Sequence, residues 1–192
     1  MQDFHLVHSP HKQKYGAVST DCFGLEQAQT VRRFHQSFPE YSVTPLVELK
    51  SLAEELGVSN IFVKDESYRF GLNAFKVLGG SYAIAREIGI RMGISEEELT
   101  LARLLQPDVQ ARLGQLRFVT ATDGNHGRGV AWTAKRLGHR AVVFMPKGTA
   151  EERLENIRKL GAEASITDCN YDDSVRLARQ YAVEHEGIVV QD

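Results

Sequence analysis

Cysteine is nearly absent. The 192 residues hold two, Cys22 and Cys169, far apart and in no CxxC or Cys/His spacing. That spacing offers neither a disulfide framework nor a zinc site, so no metal is expected, and it suits a reducing cytoplasmic compartment. No apolar run approaches the roughly 18 residues needed to span a bilayer, so no membrane partner is expected. The N-terminus, Met1 to His8, has no basic segment followed by an apolar stretch, so no secretory signal is read there. Neither charge is in excess: 23 basic and 25 acidic residues leave a formal net charge of −2, which argues against a nucleic-acid partner. With 42% hydrophobic and 25% charged residues, the composition is that of a water-soluble globular protein. The length suits one large domain or two small ones with a sizeable core.

The first half is the harder to read. Gln27 to Phe38 fits a short amphipathic helix with Val31, Phe34 and Phe38 on one face. Thr44-Pro45-Leu46 begins an extended segment, because the residue before proline is pushed out of the helical region. Ser51 to Leu56 reads as a helix stopped by Gly57, and Ile61 to Val63 as a strand leading into the polar loop Lys64-Asp65-Glu66-Ser67. Asn73 is a candidate cap for a helix from Ala74 to Glu87. Ser95-Glu96-Glu97-Glu98 matches a capping box and predicts a helix start. After Gly114 four β-rich runs (118–121, 141–145, 164–167 and 188–190) alternate with helical patterns over 128–137, 150–160 and 173–184. That alternation predicts βαβ units, hence an α/β fold with a parallel sheet flanked by helices. A division into an N-terminal part, residues 1–88, and a smaller four-stranded α/β domain, residues 89–192, follows from the change in texture. The sequence stops where a parallel sheet places its active site, beyond the carboxyl ends of the strands. The chain therefore reads as truncated after its fourth strand.

Two segments can carry chemistry. Lys76, between Phe75 and Val77 near a helix start, sits where the positive helix end and partial burial both favour a neutral amine, the form that Schiff-base chemistry requires. A lysine snorkelling to water along the helix face accounts for the same pattern. The second segment, Thr120 to Gly129, follows a strand and opens a helix with three glycines, so its amides can hold a phosphate or carboxylate. Its G-x-x-G-x-G order is not the dinucleotide fingerprint. A tight βα turn explains the glycines but not Asp123, Asn125 and His126 clustered on it. His126 lacks a companion ligand for a metal. Asn170 to Asp173 reads as a helix cap.

A lysine in an N-A-F-K helix start, followed about fifty residues later by a T-D-G-N-H-G loop, resembles the fold-type II pyridoxal-phosphate (PLP) enzymes. Within that group the chain is most similar to the 2,3-diaminopropionate ammonia-lyase family. The similarity covers Lys64 to Ser67, Arg69 to Lys76, Thr122 to Trp132, Met145 to Gly148 and Val189 to Asp192. Asp123 stands where most relatives carry serine or threonine. The resemblance implies the cofactor pyridoxal 5'-phosphate bound to Lys76 and contacted by Asn125. It implies a small amino-acid substrate held by Asp123, Gly124, Asn125, His126 and Asp192, and α,β-elimination of both enantiomers to pyruvate and ammonia. Lys76 and Asp123 would be bases on opposite faces, with Asp192 orienting the substrate amine. It also implies a homodimer of full-length chains, and a later half that supplies the phosphate loop. A serine/threonine dehydratase and a non-catalytic α/β module are the alternatives.

Overall fold

The computed structural model describes residues 23–191. Helix α1, Leu25–Gln36, forms where apolar side chains recur at helical spacing, and it delivers Phe34 and the following Phe38 into the core. Strand β1, Leu46–Glu48, pairs antiparallel with β2, Phe62–Lys64, and the two are joined by helix α2, Lys50–Leu56. The polar loop expected at 64–67 is more ordered than its composition suggests. Lys64 belongs to β2, and two short 3-10 turns separated by a kink at Arg69 and Phe70 span Glu66 to Gly71, with the Asp65 carboxylate accepting from the Ser67 amide at 3.0 Å.

Helix α3, Val77–Met92, begins three residues later than expected, with Lys76 in the cap position. Asn73 does not cap it. Its backbone is left-handed, φ 55°, whereas a capping side chain works from an extended backbone. The capping-box bonds at 95–98 form, since Glu98 accepts from the Ser95 amide at 3.3 Å and its hydroxyl at 2.9 Å. They close a turn and do not start a helix, because Leu99 must leave the helical path to pack on Gly89. Helix α4, Leu101–Leu104, starts instead after Thr100, whose hydroxyl oxygen accepts from the Arg103 amide at 3.1 Å. Helix α5, Pro107–Leu113, follows.

The second half matches the expected alternation: β3 (Arg117–Ala121), α6 (Asn125–Arg136), β4 (Arg140–Met145), α7 (Glu151–Arg158), β5 (Glu163–Ile166), α8 (Tyr171–Glu184) and β6 (Ile188–Val189). The four strands form a wholly parallel sheet in the order β5-β4-β3-β6. Gly138 and Gly161 supply the left-handed residues that end the two preceding helices, with φ of 77° and 90°. Asn170 caps α8 through a 2.9 Å bond from the Asp173 amide.

Both faces of the sheet are covered, as an all-parallel sheet requires. One buries Phe118, Val143 and Met145 together with Trp132, Leu154 and Ile157 of α6 and α7, in a cluster that continues through Ile84 and Ile88 of α3 to Phe34 and Phe38. The other buries Val119, Ala121 and Val142 under Ala178 and Ala182 of α8. Trp132 joins the halves, its ring lying 5.4 Å from Phe38 and 5.1 Å from Phe70. Among the described residues no helix is long and apolar enough to cross a membrane.

Candidate active site

The segment that delivers Lys76 is held by a buried ion pair. Arg69, 8% exposed, donates from Nε and Nη2 to the Glu66 carboxylate at 2.8 and 2.9 Å and from Nη1 to the Ser42 carbonyl at 3.1 Å. The Thr44 hydroxyl donates to Glu66 at 2.6 Å. Phe70 is buried beside Trp132 at a left-handed φ of 51°. These anchors fix the segment that leads into the sharp turn at Asn73, ahead of Lys76 and α3.

Lys76 itself is half-buried. Next to it, α3 lies directly on α6. A Cβ added at Gly129 would be 2.7 Å from the Val77 Cα and 3.1 Å from its nitrogen, so glycine is required for this approach. The first turn of α3 is also gripped from α1, where His35 Nε2 lies 3.1 Å from the Leu78 carbonyl and 3.0 Å from the Ser81 hydroxyl. Burial pushes the His35 imidazole down to about 4, so it is neutral at ordinary pH.

Lys76 lines a cavity of about 380 Å³ with Phe75, Gly79, Gly80, Ala83, His126 and Gln191. Its wall is mostly apolar, with the small residues Gly79, Gly80 and Ala83 on the α3 side, and it lies at the carboxyl ends of β3 and β6, where parallel sheets bind ligands. A flat aromatic aldehyde suits this surface, because Gly79, Gly80 and Ala83 leave it flat and Lys76 offers a primary amine. Asp123, Gly124 and Asn125 instead line a second, polar cavity of about 320 Å³, with Arg128, Glu152 and Arg153. Arg153 Nη1 donates to the Asp123 carbonyl at 3.1 Å and lies 3.7 Å from its carboxylate. The loop thus brings His126 to Lys76 but turns Asp123 and Asn125 to the neighbouring cavity. Asp192 lies outside the described residues.

His126 is buried, and its Nε2–H donates to the Val190 carbonyl at 2.8 Å. Gln191 and Arg153 were not singled out from the sequence as site residues. Gln191 carried a signal, since it directly follows a strand at the carboxyl edge. Arg153 carried none, because it reaches Asp123 across 30 positions.

A parallel sheet with covered faces and a lysine-bearing helix start at its carboxyl edge define the class. The chain belongs to the pyridoxal-phosphate dependent enzyme family, whose profile matches residues 38–192, so its cofactor is PLP. Within that family it is similar to the diaminopropionate ammonia-lyases of Salmonella typhimurium, 47% identical over 94% of this chain, and Escherichia coli K12, 49% identical over 93%. It spans only 45% and 44% of their respective lengths. The crystal structure of the Escherichia coli enzyme in apo form matches with a TM-score of 0.84 and 50% identity, over 93% of this chain and 47% of that one. The same enzyme in complex with an aminoacrylate-PLP azomethine reaction intermediate matches with a TM-score of 0.82 and 49% identity, over 93% and 43%.

Proposed function

We propose that this chain carries the lysine-bearing part of a diaminopropionate ammonia-lyase acting on both enantiomers of 2,3-diaminopropionate. One observation carries this reading: Lys76 borders a mostly apolar cavity at the carboxyl edge of the sheet, in a chain about half identical to enzymes of that name. Within the cavity Lys76 is the residue that would hold PLP, beside Gly79, Gly80 and Ala83, and Asn125, which lines the adjacent cavity, would have to turn toward it to contact the cofactor. The cofactor, when bound, supplies an electron sink for the pair left when the Cα–H bond breaks.

The remaining steps belong to side chains. Lys76 takes the Cα proton from one face, and Asp123, once turned from the adjacent polar cavity and Arg153, takes it from the other, so each enantiomer meets a base. The loop amides from Gly124 to His126 hold the substrate carboxylate at a helix N-terminus, and Asp192 orients the amino group. The β-amine leaves as ammonia, and hydrolysis of the aminoacrylate gives pyruvate and a second ammonia. The same reading divides the chain near residue 88 into part of a larger lobe and a smaller α/β domain that share α3. It also places the protein in the cytoplasm, as a homodimer at the relatives' full length.

Borohydride reduction of the protein mixed with PLP should fix the cofactor on the peptide containing Lys76, and Lys76→Ala should abolish that label. Labelling that persists in the variant, or that falls on another lysine, would remove the assignment. Assaying diaminopropionate against serine separates this activity from a dehydratase.

A further inference from the structure

The loop that carries Asp123 leaves β3 after Ala121 and re-enters regular structure at α6. It is held at both ends by two consecutive residues of the β6 exit. At its start, the Gln191 side chain takes the place of a strand. Its Oε1 accepts from the Ala121 amide at 3.1 Å and the Thr120 hydroxyl at 3.4 Å, and its Nε2 donates to the Ala121 carbonyl at 2.8 Å. At the far end, His126 donates to the Val190 carbonyl at 2.8 Å. Main-chain pairing between β3 and β6 ends one step earlier, at the bond from the Val190 amide to the Val119 carbonyl, 2.9 Å.

Strand β3 outlasts its neighbour β6, and a strand end left in this way has an amide and a carbonyl without partners, a cost that selects for a substitute. A glutamine amide is such a substitute, since it presents one acceptor and one donor in nearly the spacing of a peptide group. It also frees the Gln191 main chain to leave the sheet toward the Lys76 cavity, which both Gln191 and His126 line.

We infer that Val190 and Gln191 act as a reciprocal clamp, with Gln191 as a positioning residue that sets where the Asp123 loop stands relative to the Lys76 cavity. Side chain grips main chain at Ala121, and main chain is gripped by side chain at His126. Between the grips lie Thr122 to Asn125, tied internally by the 3.1 Å bond from the Gly124 amide to the Thr122 hydroxyl and externally by the Thr122 amide on the Phe144 carbonyl, 3.0 Å, and by Arg153 on the Asp123 carbonyl, 3.1 Å. Such a short span cannot shift as a unit unless one grip opens. Clamping therefore ties Asp123, in one cavity, to residues that wall the other. Its catalytic consequence rests on the reading of Asp123 as a base, but the clamp itself does not.

The test uses amide hydrogen exchange in the chain as it stands and needs no turnover, so its failure is separable from failure of the proposed activity. Gln191→Met keeps the length of the side chain and deletes both hydrogen-bonding groups. Gln191→Glu keeps the acceptor for the Ala121 amide and the Thr120 hydroxyl and loses the donor to the Ala121 carbonyl. Exchange at Ala121 and at Gly124 and Asn125 should accelerate on the order of 10-fold or more in Gln191→Met, the weight of lost bonds to buried main-chain groups. It should be partly restored at Ala121 in Gln191→Glu, while Val142 and Val143 on the neighbouring strand stay unchanged in both. If Gln191→Met fails to fold, Gln191→Glu carries the same readout, with acceleration at Gly124 and Asn125 expected. Unchanged exchange at Ala121 and the loop would overturn the clamp. So would uniform acceleration across β3 and β4, because it would reduce Gln191 to a contributor to overall stability.

Discussion

At the scale of single residues, Arg69 has the most demanding environment near the site. Its guanidinium is out of water and depends on one carboxylate, Glu66, whose own ionisation is held below the usual carboxylate range chiefly by hydrogen bonds from Arg69. The Tyr41 ring adds a face 5.8 Å from the guanidinium carbon. Removing one partner of a buried pair strands the other charge, which typically costs ~3–5 kcal/mol, whereas replacing both with apolar groups is often close to neutral. Glu66→Ala should therefore lower the urea midpoint by an amount equivalent to roughly 3 kcal/mol. Adding Arg69→Met to that variant should recover part of the loss. A double variant no more stable than Glu66→Ala would mean that the stranded charge is not the cause.

Among secondary-structure elements, the contact of α3 with α6 governs where the lysine sits. Gly129 and Gly79 both lie in helices, yet their surroundings differ. A Cβ at Gly129 meets Val77 backbone at 2.7 Å, which cannot swing aside, whereas one at Gly79 meets nothing within 4 Å. Gly129→Ala should lower stability by ~1–3 kcal/mol through overpacking and displace the start of α3, reducing PLP labelling of Lys76. Gly79→Ala should raise stability by up to ~1 kcal/mol from helix propensity alone. Thermal unfolding of the two variants tests the contrast, and equal shifts would contradict it. The sequence shows why one part of this contact was legible and another was not. Periodicity located the body of α6, because that pattern is local, although the helix starts at Asn125, three residues before the expected 128. The start of α3 lies three residues later than expected because it depends on a left-handed Asn73 and on Arg69 and Phe70, whose anchors Ser42 and Trp132 are distant in sequence. Likewise, the loop from Asp123 to His126 was recognisable as a turn that could hold an anion. Which cavity each side chain enters depends on Arg153 and Val190, and no local signal reports them.

Across the whole molecule, the alternation after Gly114 made the parallel sheet readable, since buried strands and amphipathic helices have different periods. The layer formed by α1 on α3 was less apparent, and one titratable group joins it. His35 sits between Phe34, Tyr82 and Phe70, its Nε2 against the Leu78 carbonyl and the Ser81 hydroxyl. Burial is the main cause that lowers it to about 4 from an ordinary value of 6.5, the Leu78 carbonyl opposes that shift, and Arg69 adds a smaller lowering. A histidine that is harder to protonate folded than unfolded binds fewer protons in the native state between those two values. Stability is therefore complete above pH ~6.5 and is lost as pH falls toward 4, by on the order of 3 kcal/mol if the whole shift is expressed. His139, lowered by burial as well, acts in the same direction, while Glu66 and Glu96, held low by hydrogen bonds, contribute stability above the ordinary carboxylate value of 4.5 and lose it only as pH falls below that value. The window from pH 6.5 to 5 thus belongs to the histidines. His35→Gln retains an amide donor for the Leu78 carbonyl and cannot titrate, so its unfolding free energy should fall less steeply across that window than that of the wild type. Parallel slopes for the two proteins, measured by urea unfolding at half-unit pH steps, would show that His35 is not the group whose protonation opens the α1–α3 layer.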